Sequence, residues 1–421
     1  MRHSIEWIED APNRAPEERA TVADLRLFLH DQNVTAHMLA GKADDHVTIA
    51  LYGLADGIVH DWWSILGARD REFSLRRYRT GYLIPDIRIS CDGVVFEVSA
   101  IQSAYENPDL RFWGAKPELL TRAEGEAWLT SFVSRVLDRL VSKHVEGTSA
   151  ALRWHRIQES RNAGEHRFCE AAGSLGLDPY QLPDEAARFI EDAEQVFGGT
   201  EPLVEFVAGA GLVDRPRLLD WVTHNRSDRG DGHRLSELRG LVCDVASIAP
   251  ERDGEPAWSM GYRRARAARS VLNLDQRGQF DSFRTLARRL GAADDYDVAG
   301  AVDGISALRC ERADGTHVYL RNHSQASHAE PTHLFALARA IGDAICFPRV
   351  ENSAVNHVRH AYHQSAGRAF AAEFLAPIDE VMSMRNDAHD VYSIAARFGV
   401  SPSVIERQLE NERRIADARR S

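Results

Sequence analysis

The spacing of apolar residues changes twice along this chain, and that change limits what it can fold into. From about residue 20 to 110, short alternating runs surround one helical segment, the mixture an α+β module produces. Within it, Leu51, Leu54, Ala55, Ile58, Trp62 and Ile65 recur at helical spacing, which predicts one helix over 51–66. Residues 86–101 (DIRISCDGVVFEVSAI) read as a hairpin, two β-rich runs joined by the turn residues Asp92 and Gly93. At Glu124 the period becomes helical (EGEAWLTSFVSRVLDRLVSKHVE), and helical signals dominate to about Leu290. The expected fold class is therefore an α+β multidomain protein: an α+β module over 1–123, a mainly helical middle over 124–290, and an α+β domain over 291–421. Loop signals at 176–185, 196–202 and 227–233 separate the middle helices, and no internal repeat is present.

In the last part, ISALRC and THVYLRN around Ala313-Asp314-Gly315 predict a second hairpin. Two helices are expected next, over about 332–347 and 355–375, the second stopped at Ala376-Pro377. The segment 391–411 (VYSIAARFGVSPSVIERQLEN) then predicts two short helices around Gly399, with Ser401 as a cap.

Charge and motifs remove several function classes. A formal charge of −12 and a pI near 5.8 argue against a protein that coats nucleic acid or anionic membrane over its whole surface. No apolar run is long enough for a membrane helix, and the first twenty residues are polar and mixed in charge, so a cytoplasmic location is expected with no membrane partner. The five cysteines, Cys91, Cys169, Cys243, Cys310 and Cys346, form no CxxC pair and read as reduced, mostly core thiols. There is no GxxxxGKS/T loop and no GxGxxG after a strand, so nothing points to an ATPase or a dinucleotide enzyme. His60-Asp61 could form a dyad, yet no nucleophile is tied to it, and the adjacent Trp62 and Trp63 read as core anchors. Glu165, His166 and Cys169 are spaced loosely like ligands, with Cys169 at a core position of a helix.

The most basic segment of this acidic chain is 261–290, with arginines at 263, 264, 266, 269, 277, 284, 288 and 289 against Asp275 and Asp281. It is read first as a solvated helix face. A nucleic-acid contact is the second reading, with Arg263, Arg264, Arg266 and Arg269 joined by Arg407 and Arg413 from the 394–413 unit, whose turn has helix-turn-helix spacing.

Three stretches carry a family resemblance: HLFALARAIGDAI (333–345), AGRAFAAEFLAP (366–377) and IAARFGVSPSVIERQL (394–409). Over roughly the last 125 residues the chain resembles the ImmA/IrrE family of zinc metallopeptidase-like proteins, which implies a zincin-like α+β domain. In that family one helix carries HExxH, two histidines one turn apart that grip zinc and a glutamate that acts as general base, and the next helix supplies a carboxylate. Aligned on Phe335, Leu337, Ala338 and Gly342, the first histidine position is Arg339, the base Ala340 and the second histidine Asp343. The expected glutamate of the next helix is Gln364, and its small polar partner is Arg368. A guanidinium at a ligand position repels a dication. The expectation is a scaffold without cofactor, in which an Arg339–Asp343 ion pair, extended by Gln364 and Arg368, stands in for the metal.

The resemblance implies a regulator or sensor in stress response, phage defence or mobile-element control. Without its chemistry, the groove between the helices, flanked by Phe335, Phe347 and Phe370, is the candidate site for a protein or peptide partner. Two alternatives stay open. One is a zinc endopeptidase with other ligands, drawn from His357, His360 and His363 or from His323, His328 and His333. The other is a DNA-binding regulator built on the arginines above.

Overall fold

A computed structural model describes residues 1–9, 14–102, 109–162, 164–211, 213–227, 233–274, 279–293, 298–322 and 329–420. The fold is mixed, 52% helix and 19% strand, with several small antiparallel sheets, so neither an all-α nor an all-β description fits. Two compact units divide between Pro183 and Asp184.

The first unit begins with β1 (Arg2–Trp7), α1 (Pro16–Ala20), β2 (Val22–Leu29), β3 (Gln32–Asn33), β4 (His37–Leu39), β5 (Lys42–Asp44) and β6 (Val47–Ala50). It continues with α2 (Tyr52–His60), α3 (Trp62–Gly67), β7 (Phe73–Ser74), β8 (Asp86–Cys91), β9 (Val95–Ile101), β10 (Leu110–Phe112) and β11 (Ala115–Thr121). Helices α4 (Arg122–Ser142), α5 (Ser149–Asn162) and α6 (His166–Ser174) complete it. One sheet runs β1-β2-β3 with β6 also on β2, a second runs β11-β9-β8-β7, and a small third runs β10-β4-β5. The 86–101 hairpin forms as expected, Cys91 opposite Phe96.

The single helix expected over 51–66 is broken at Asp61, whose carboxylate is taken by the Tyr78 hydroxyl at 2.6 Å. Trp62 and Trp63 are both buried, as core anchors should be. Helix α4 starts on a capping box: Thr121 Oγ1 accepts from the Glu124 amide while the Glu124 side chain accepts from the Thr121 amide. Its buried face, Trp128, Leu129, Phe132, Val133 and Val136, shares one core with Trp62, Phe96 and Phe112, and Ile157 and Cys169 from α5 and α6 join it. That shared core is why packing does not break at 123/124, where the period of the sequence changes. Nor does it break at 290/291.

The second unit starts with α7 (Asp184–Phe197), α8 (Glu201–Gly209), α9 (Arg215–Arg226), β12 (His233–Leu235), α10 (Leu238–Ile248), α11 (Ala257–Val271) and α12 (Phe283–Arg289). Then come β13 (Ala307–Arg312), β14 (Gly315–Leu320), α13 (Ala329–Cys346), β15 (Asn352–Val355), α14 (Tyr362–Leu375), α15 (Ile378–Asn386), α16 (Val391–Phe398) and α17 (Pro402–Arg420). The antiparallel sheet order is β12-β14-β13-β15, with the predicted β13–β14 hairpin closing at Arg312 opposite Gly315. The expected helix from 355 loses its first third: Val355 ends strand β15, opposite Ala307, and α14 begins only at Tyr362.

Helix α14 is buried on almost every side because it packs between α11 and α13, and small residues set how close they come. A Cβ on Gly261 would lie 2.5 Å from the Ala366 carbonyl oxygen, and one on Gly342 would lie 2.6 Å from the Phe370 ring. Of the two short helices expected around Gly399 the first forms, but the second, Pro402–Arg420, runs for 19 residues; Gly399 is left-handed (φ 64°) at the end of α16, and Ile394, Ala395, Phe398, Val400 and Ile405 are buried. No helix among the described residues is long and apolar enough to cross a membrane.

Candidate functional site

The positions that the family frame assigns to the metal lie in the second unit; Arg339, Ala340, Asp343 and Gln364 are buried and Arg368 is half-buried. Arg339, 4% exposed on α13, donates through Nη2 to the Asn356 carbonyl at 2.6 Å and to Gln364 Oε1 at 2.8 Å. Gln364, 4% exposed on α14, uses its whole amide. Oε1 also accepts from the Asn356 amide (2.9 Å), and Nε2 donates to the Ala354 carbonyl and to Glu205 Oε2, both at 2.8 Å. Four bonds saturate a primary amide. Its two ends pair with Ala354 and Asn356 as a neighbouring strand would, so this side chain closes the end of β15.

The expected Arg339–Asp343 pair is not formed. Asp343 pairs instead with Arg309 of β13, Nε to Oδ2 at 2.7 Å, and both side chains are buried. Arg309 reaches on to Glu311 at 3.0 Å, and Glu311 accepts from Thr316 Oγ1 at 2.8 Å. The reason is topological: β13 brings a cation to Asp343, while the chain leaving β15 offers Arg339 a carbonyl. Arg368 also goes elsewhere, donating at 2.7 Å to the carbonyls of Val358 and Arg359. Ala340 is fully buried and offers no base.

Burial, reinforced by Arg368 and opposed by Asp343 and Glu205, lowers the Arg339 guanidinium to about 9. Burial lowers Arg368 to about 10, against the pull of Glu205. Both remain cations at neutral pH. Glu205 is the member that the sequence reading missed: 1% exposed on α8, it also accepts from the His363 amide at 3.0 Å, at the start of α14. The available signal was two carboxylates, Glu201 and Glu205, in the otherwise apolar EPLVEFVAG.

The remaining candidates are placed as follows. Phe370 is fully buried, stacked on Phe374 at 5.3 Å, and Phe347 stacks on His363 at 3.6 Å; Phe335 is half-buried. Gly342 is set against Phe370, so that ring is packed between α13 and α14.

His357 and His360 precede α14 and only His363 lies on it, so the three do not share a helical face. His333 sits 3.0 Å from the Arg321 carbonyl; His323 and His328 lie outside the described residues. Among the described residues no group of three histidine, cysteine, aspartate or glutamate side chains is placed to hold a metal.

The arginine-rich segment is not a solvated face in its α11 part. Arg264 donates at 2.8 Å to the carbonyls of Ile345 and Cys346, and Arg269 at 2.7 Å to that of Phe374, so each guanidinium caps the carbonyl end of a neighbouring helix. Arg263 is paired with Glu255 at 2.5 Å and Arg266 with Glu373 at 2.7 Å. Arg277 and Asp275 lie outside the described residues. Of the nucleic-acid candidates, Arg266, Arg407 and Arg413 are exposed; Arg266 is held by Glu373, and the other two lie on α17 beside Glu406, Glu410 and Glu412. No family model, no curated protein and no solved structure matches the chain.

Proposed function

We propose that residues 291–421, within the second unit, keep an ImmA/IrrE-like, zincin-like scaffold that has given up its metal, and that the protein is a non-catalytic regulator or sensor acting on a protein or peptide partner. The settings that such a role suits are stress response, phage defence or mobile-element control. One observation carries the reading: the aligned ligand positions hold Arg339 and Gln364, and the guanidinium occupies its place through hydrogen bonds to Asn356 and Gln364. A buried cation at that point opposes a dication, and Ala340 supplies no proton acceptor. Asp343, the one acidic residue aligned with a histidine, is already neutralised by Arg309.

Because the rings of Phe347 and Phe370 are packed between helices, the partner is assigned to the outer surface of the α16–α17 unit, where Tyr392 is 72% exposed and Arg407 is open. The test is proteolysis. The full-length chain, supplied in turn with zinc, manganese and cobalt, is incubated with unfolded casein, with and without a chelator. The expected result is no cleavage; chelator-sensitive cleavage, lost in a His363→Ala variant, contradicts the proposal and restores the endopeptidase reading.

A further inference from the structure

Three strands and two helices of the second unit bring cations to one end of its sheet. Ser306 lies just before β13, Arg321 just after β14 and His357 just after β15; Arg339 comes from α13 and Arg368 from α14. Backbone bonds tie the strand ends together: the Ser306 amide donates to the Val355 carbonyl at 2.7 Å, and the Arg321 amide to the Ser306 carbonyl at 3.0 Å. The segment leaving β15 is bracketed by guanidinium groups, Arg339 on the Asn356 carbonyl and Arg368 on the carbonyls of Val358 and Arg359. Between those carbonyls the His357 side chain is exposed, with Nε2 3.4 Å from Ser306 Oγ.

The nearby carboxylates are spoken for or far out in water. Asp343 is held by Arg309, and Glu205 by Gln364 and the His363 amide. Arg321 meets Asp303 at 3.5 Å, but that carboxylate is 81% exposed. The Nε groups of Arg321 and Arg339 are buried and make no hydrogen bond, so at those atoms their charge is not offset by a local acceptor. Partial removal from water first, then the charges of Arg339, Arg321 and Arg368, lower the pKa of His357.

We infer that this end of the sheet, with His357, Arg321 and Arg368 at least partly exposed and Arg339 and Ser306 buried behind them, binds the phosphoryl group of a small phosphorylated molecule. Three guanidinium charges match a dianion better than a single carboxylate, and planar guanidinium donors suit the tetrahedral array of phosphoryl oxygens. The hydroxyl of Ser306 and the neutral imidazole of His357 add donors that need no further charge. The inference gives the class of signal sensed and does not rest on the pseudo-peptidase reading: a chain that cleaved peptides could carry the same site.

The test is calorimetric titration of the full-length chain, in chloride buffer at low ionic strength, with inorganic phosphate, ADP, acetate and a phosphoserine peptide, paired with nuclear magnetic resonance of the His357 imidazole. Saturable binding of phosphate and tighter binding of ADP are expected, with a rise in the His357 pKa on binding. Arg368→Gln and Arg321→Gln should each weaken ADP at least about tenfold, the worth of one charge-assisted hydrogen bond. Circular dichroism checks that each variant is folded, and either folded variant suffices. No saturable binding of phosphate or ADP overturns the inference, as does binding that both variants retain. Equal affinity for acetate overturns the phosphoryl assignment, and binding of the phosphoserine peptide alone overturns the small-molecule one.

Discussion

Replacing Gln364 by leucine removes four hydrogen bonds without emptying the space between α13, α14 and β15. Two of the four partners keep another bond: Arg339 holds the Asn356 carbonyl, and Glu205 holds the His363 amide. The Asn356 amide and the Ala354 carbonyl lose a partner inside the protein. An unsatisfied buried backbone group costs about 1–3 kcal/mol, so these two alone cost about 2–6 kcal/mol, before the weaker hold on two buried charges is counted. Against a total of about 5–15 kcal/mol for a typical domain, this leaves the second unit marginal. Gln364→Glu, the residue type that the family frame expects, keeps the two acceptor contacts but sets a carboxylate oxygen against Glu205 and is expected to lose at least about 2 kcal/mol. The assay is urea unfolding followed by far-ultraviolet circular dichroism, with hydrogen exchange of peptides from 329–375 to locate the loss. If both variants unfold within about 0.5 kcal/mol of the parent, the range of an unremarkable surface substitution, the network is not what holds these helices in place.

Breaking the buried Arg309–Asp343 pair with Arg309→Met should cost about 3–5 kcal/mol in the same assay; a loss below about 1 kcal/mol would falsify the pairing. Gly261→Ala sets a methyl against the Ala366 carbonyl and should cost about 1–3 kcal/mol, whereas Gly240→Ala, on α10 with open space around it, should stabilise by about 0.5–1 kcal/mol. The reverse order would mean that α11 and α14 are not in close contact. Burial raises the thiols of Cys91 and Cys310 to about 11 and those of Cys169 and Cys346 to about 12, and Cys243 alone is exposed, so Ellman's reagent should titrate one thiol per native chain and five after denaturation. Burial also lowers the pKa of His333 and His357 below 6.5. The unfolded chain then takes up protons first, so this contribution is full above about pH 6.5 and is lost as pH falls below it. The melting temperature should drop between pH 7 and 5.5, less so in His333→Gln and His357→Gln; an unchanged drop in both would remove these histidines as its source.

What the sequence made legible was whatever short-range chemistry decides. Asp92-Gly93 and Asp314-Gly315 close hairpins because those residues suit tight turns, and Gly399 ends α16 because a left-handed residue is needed there. Arg339 of α13 and Gln364 of α14 meet, since two neighbouring helices fix which faces touch. Partners chosen across long separations were not legible. Glu205 reaches Gln364 over 159 residues and Arg309 reaches Asp343 over 34, and neither contact leaves a periodic trace. The arginines of α11 looked like a wet face because their spacing is helical, yet Arg264 and Arg269 are consumed by the carbonyl ends of α13 and α14. Residues 355–361 lack the stop signals that mark a helix boundary, and only pairing with β13 reveals Val355 as strand.

The proposed replacement of a metal by Arg339 and its hydrogen-bonded partners is decided by metal content. The full-length chain, purified without a histidine tag and dialysed against zinc-free buffer, is analysed by inductively coupled plasma mass spectrometry. Far less than one equivalent of zinc, manganese, iron, cobalt or nickel per chain is the expected result. About one equivalent of zinc, retained through dialysis and lost together with stability on chelation, would contradict it and would mean that ligands outside the Arg339, Asp343 and Gln364 positions build a working centre.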